Sequence, residues 1–118
     1  MCRGQAVWRP SRAKQEIAGE LVVATRADGR AFVQFSKEPF SIVTAQADSR
    51  AWQVTFPAQQ RTWRGQGEPP ARWLWLQLAR AVAESPLQPP WQMSRQDTAS
   101  FSLDNPVTGE RLTGFLSP

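Results

Sequence analysis

Residues 19–25, 31–37, 40–46, 51–56 and 61–65 are five short runs rich in β-branched and aromatic side chains, and only a few chain-breaking residues separate each from the next. Parallel neighbours would need crossovers of about a dozen residues, so connections this short force an antiparallel meander. The breaks have turn chemistry: Asp28-Gly29 is a hairpin signal, followed by Glu38-Pro39, Asp48-Ser49-Arg50 and Pro57. In the fourth run Trp52, Val54 and Phe56 alternate with Gln53 and Thr55, the period of a strand with one buried face. The second and third runs are apolar on both faces, with Phe32 opposed to Val33 and Phe35, and with Phe40 and Ile42 opposed to Val43 and Ala45. A one-sided sheet does not need that much apolar surface.

Residues 69–84 interrupt this succession as the one expected helix, from about Pro70 to Glu84. Pro69 and Pro70 suit a first helical turn, whose N–H groups are spare. Trp73, Leu74, Trp75, Leu76, Leu78 and Val82 give it more than a single apolar stripe, so it needs cover. Ser85-Pro86 and Pro89-Pro90 stop it, and three further strands follow over 91–95, 100–104 and 110–116, the last two joined by a turn at 105–109. The expected fold is mainly β (α+β). A curved antiparallel sheet or half-barrel of about eight strands carries one helix on its concave face. Beneath that helix lies either a solid core or a pocket.

With 118 residues the chain is one domain's worth. Arg3, Arg9, Arg12 and Lys14 all precede the first acid, Glu16, and account for the whole net charge of +4. The expected organisation is therefore a flexible basic N-terminal arm over residues 1–15 and a charge-neutral β domain over residues 16–118. Such an arm can approach a membrane surface or a polyanion. No run is long enough for a transmembrane helix, and residues 1–14 lack the apolar segment of a signal peptide. That fits a cytoplasmic protein. It equally fits a mature chain whose signal was removed, which would be periplasmic or outer-membrane-associated with Cys2 as a lipid anchor.

Catalysis finds little support. The chain has no His, so neither a proton shuttle of that kind nor the commonest metal ligand is present, and the single Cys2 excludes an internal disulfide and a cysteine zinc site. Asp28, Asp48 and Asp104 occupy turn and edge positions, and Gly65 and Gly67 are not followed by the Lys and Ser or Thr of a phosphate loop. No catalytic residue, metal site or cofactor is expected. The candidate ligand-binding set is instead Phe40, Trp52, Val54, Phe56, Trp63, Trp73, Leu76 and Trp91, taken as facing inward and able to line an apolar pocket. The same rings could fill a solid core, making the protein a structural or interaction module. A second alternative comes from the interleaving of Arg61, Trp63, Arg64, Arg72 and Trp73, which is a pattern that grips single-stranded nucleic acid and also one that strand alternation produces.

A meander opening with Ile17-Ala-Gly-Glu-Leu-Val-Val, an aromatic-rich middle, a helix followed by Pro86-Leu-Gln-Pro-Pro-Trp, and a closing hairpin with Asn105-Pro-Val-Thr-Gly-Glu-Arg-Leu-Thr-Gly-Phe together resemble the bacterial lipoprotein-carrier family (LolA/LolB-like). The resemblance spans residues 16–118. It implies an incomplete antiparallel barrel closed by helix over an apolar cavity, and a non-enzymatic envelope protein accommodating an acyl chain, with an acylated protein as partner. Oligomeric state is left open.

Overall fold

In the computed structural model, which describes residues 1–118, nine strands and one helix follow in order: β1 Cys2–Arg9, β2 Ile17–Thr25, β3 Ala31–Lys37, β4 Phe40–Ala47, β5 Ala51–Phe56, β6 Arg61–Gln66, α1 Leu74–Val82, β7 Gln92–Arg95, β8 Ser100–Asp104 and β9 Arg111–Ser117. They make one antiparallel sheet in the order β6-β5-β4-β3-β2-β1-β9-β8-β7, curved and unclosed. The meander is as expected. One strand is not.

The basic segment is no flexible arm. As β1 it lies inside the sheet, bonded to β2 on one side and β9 on the other. Ala6 and Trp8 are buried while Arg3 and Gln5 between them and the chain start are exposed, a period-2 alternation masked by the charge of the segment. Pro10 ends the strand because it has no N–H to donate. The backbones of β1 and β9 approach so closely that a Cβ at Gly4 would overlap the Phe115 carbonyl oxygen, and one at Gly114 the Gln5 carbonyl oxygen. Glycine is required on both strands.

Register assigns the faces. Leu21, Val23, Val33, Phe35, Val43, Ala45 and Val54 stand opposite one another from strand to strand and turn inward. Ala24, Phe32, Gln46, Gln53 and Arg64 form the adjacent row and turn outward. A register shift at Phe35/Ser36 of the β3–β4 ladder leaves Ile42 unpaired.

The helix is shorter than the spacing predicts. Trp73 is its N-cap with extended backbone (φ −93°, ψ 101°), so Pro69 and Pro70 belong to the preceding loop. Glu84 at φ 58° turns the chain out of the helix before Ser85-Pro86. α1 packs on β2, β3, β4 and β8, and Trp75 fills the hollow with its ring 5.1 Å from Trp8 and 5.3 Å from Phe35, centre to centre. Gln77 is fully buried yet satisfied. Its Oε1 accepts the Gln88 backbone N–H at 2.9 Å, which fastens the chain after the helix to the helix itself.

Candidate functional site

The aromatic side chains are continuous at the end of the sheet where β1, β5 and α1 meet. Trp8 stacks on Phe56 at 6.3 Å, Phe56 meets Trp63 edge-on at 5.7 Å, and Trp63 lies 5.3 Å from Trp73. Such offset and edge-on geometries suit the ring quadrupoles. The Arg61 guanidinium sits 4.4 Å from the Trp63 ring centre and that of Arg72 4.2 Å from Trp73. Trp73 is buried and its indole N–H has no acceptor.

Beside this row is an open cleft of about 650 Å³, lined mainly by Trp8, Ile17, Phe40, Ile42, Phe56 and Pro57. It exists because the β3–β4 hairpin turns at Glu38-Pro39 and leaves Phe40 at the lip, 72% exposed. Across the strand ends the Trp8 indole N–H donates to Glu110 Oε2 at 3.0 Å. Burial pushes the Glu110 carboxyl up to about 7, against the Trp8 hydrogen bond and the charge of Arg72, which both favour its anion. The turn that delivers Glu110 is built as its sequence predicts. Asn105 Oδ1 accepts the Val107 N–H at 2.9 Å, and Gly109 takes φ 80°. Arg9 Nε then donates to the Gly109 carbonyl at 3.1 Å, and Arg12 to that of Val107 at 3.1 Å.

The expected ligand-binding residues are therefore divided. Phe40 and Phe56 line the cleft, and Trp63 extends its aromatic wall. Phe40 departs from its expected inward orientation, since the hairpin tip carries it out into solvent. Val54, Trp73, Leu76 and Trp91 are buried in the core, where Trp91 donates its indole N–H to the Ala71 carbonyl. Trp52 is half-buried, tilted on Trp73 at 6.2 Å, and borders a different cleft. Cys2 opens β1 opposite Val23, half-buried, at the end of the sheet away from Phe40.

Sequence reasoning missed Trp8, Ile17, Ile42 and Glu110. For Trp8 the alternation of Ala6 and Trp8 was an available signal. Glu110 had none, because its burial depends on β9 closing against β1. No group of three His, Cys, Asp or Glu side chains assembles, and no helix is long and apolar enough to cross a membrane. Comparison of the chain with protein-family models, curated proteins and solved structures found no match.

Proposed function

We propose that the protein is a non-enzymatic binding module, of lipoprotein-carrier-like character, that accommodates an acyl chain or comparable apolar ligand in the cleft at the Phe40 rim. The observation that carries this reading is an exposed phenylalanine at the lip of an apolar cleft whose wall is a stacked aromatic row. Apolar, concave sites with few polar groups favour ligands of that kind. The ligand meets the rim of the sheet rather than the space beneath α1, which Trp75 occupies. In an envelope setting, a lipid on Cys2 would tether the domain by the end opposite the cleft, leaving the cleft free.

A fluorescent fatty-acid probe tests this. Titration is expected to change tryptophan emission, and unlabelled fatty acid to reverse the change. Phe40→Ser removes much of the lip's apolar area and is expected to weaken the probe about tenfold. Its thermal stability should stay near that of the parent, because the ring is 72% exposed. Unchanged emission across the titration, or equal affinity of the variant, would remove the reading. The filled concavity favours the second reading, an interaction module with a solid core, which the same null titration would leave standing.

A further inference from the structure

We propose that the outer face of the sheet binds single-stranded nucleic acid, with Phe32 as the stacking surface and Arg26 and Arg64 as phosphate contacts. This site is distinct from the Phe40 cleft and lies on the other side of the sheet.

Ala24, Phe32, Gln46, Gln53 and Arg64 are successive cross-strand partners from β2 to β6 and all point outward. Neighbouring strands are about 4.8 Å apart, so the row spans about 19 Å, the length of a few unpaired nucleotides. A cleft of about 780 Å³ lies along it, bounded by Arg26, Arg30 and Asp48 from the turns and reaching over the strand ends to the inward-facing Trp52. Phe32 is 37% exposed in that cleft, a ring on a sheet face where polar residues are the rule. Every base has a π-face that can stack on such a ring, which makes the contact tolerant of sequence.

The polar groups around Phe32 are free to bind. Arg26 and Arg64 have no carboxylate partner, whereas Arg30 is paired with Asp28 at 2.9 Å. The Asp48 carboxylate, the one acid at the cleft, is already engaged by the N–H groups of Arg50 and Ala51 at 2.7 and 2.8 Å. Gln46 makes no side-chain hydrogen bond, and Gln53 only a long one of 3.5 Å to Thr55. Each offers both a donor and an acceptor to a base edge.

Charge selects the partner. At the cleft itself Arg26, Arg30 and Arg64 stand against one acid, Asp48, so Arg26 and Arg64 are left as cations without a partner. A basic cleft with an exposed aromatic complements a polyanion whose bases are unpaired, since a duplex keeps its base faces stacked away from the ring.

Fluorescence anisotropy of a labelled oligothymidine of about ten residues with the full chain tests the proposal. Binding is expected to weaken as salt rises, with a log–log slope near −1.4 for two phosphate contacts, and Arg26→Ala or Arg64→Ala should each flatten it by about 0.7. Phe32→Leu keeps an apolar side chain but loses the ring, and should weaken binding about tenfold; Phe32→Trp should restore it. Circular dichroism confirms that each variant is folded. No anisotropy change, equal affinity for a duplex of the same length, or a Phe32→Leu variant that binds like the parent would each overturn the proposal. Anionic phosphatidylglycerol vesicles captured through Phe32 in preference to the oligonucleotide would overturn it in favour of a membrane surface.

Discussion

Glu110 and Trp8 are 102 residues apart in sequence and share a hydrogen bond. Their pairing has a consequence for pH. The folded Glu110 carboxyl titrates at about 7 against an ordinary 4.5, so between those values the folded state keeps a proton that the unfolded state has released. Stability therefore falls as pH rises through that window and levels off above it, by up to about 2 kcal/mol once partial solvent screening is allowed for. Glu110→Gln retains an acceptor for the indole and removes the charge. Its urea midpoint is expected to exceed the parent's at pH 8 and to match it at pH 4; a gain of equal size at both values would mean that Glu110 titrates normally. Asp28, Asp48 and Asp97 act in the opposite sense. Hydrogen bonds from Arg30 to Asp28 and from turn backbone N–H groups to Asp48 and Asp97 hold their carboxyls below the usual range, so what they contribute is lost as pH falls through that lowered range.

Among the elements, β1 and α1 teach different lessons. The pairing of β1 with β9 rests on Gly4 and Gly114, where a side chain would strike the facing carbonyl. Gly114→Ala is expected to cost about 3 kcal/mol, as forced overpacking does, and to lower the thermal midpoint by several degrees. A variant as stable as the parent would show that the two strands can separate without loss. The apolar residues and flanking prolines mark α1 in the sequence, yet the helix begins about one turn after Pro70, where that spacing puts its start. Trp73 takes an extended backbone there because its indole packs on Trp52 and Trp63, a tertiary demand that overrides local preference.

At the level of the whole molecule, β1 joins the meander β2 to β6 to the closing strands β7 to β9, so the sheet is one body only while residues 2–9 are in place. Deleting residues 2–9 is expected to abolish the cooperative thermal transition, read by circular dichroism; retention of a parent-like transition would return the segment to the status of an arm. The meander was legible in the sequence because hairpin partners are adjacent in the chain, and short connections with Asp, Gly and Pro leave one antiparallel solution. Strand alternation likewise determined which side of β5 is apolar, and the absence of His limited the chemistry open to the chain. Tertiary structure alone decided the rest. Whether an Arg-rich start is a solvated tail or a central strand depends on a partner, β9, more than 100 residues away. The same holds for the cleft: Phe40 looks like any inward aromatic until the hairpin tip carries it outward, and Trp8 becomes its wall only because curvature brings β1 against β5. Local sequence encodes which residues prefer to be buried, but which of them meet is settled by pairings between distant segments.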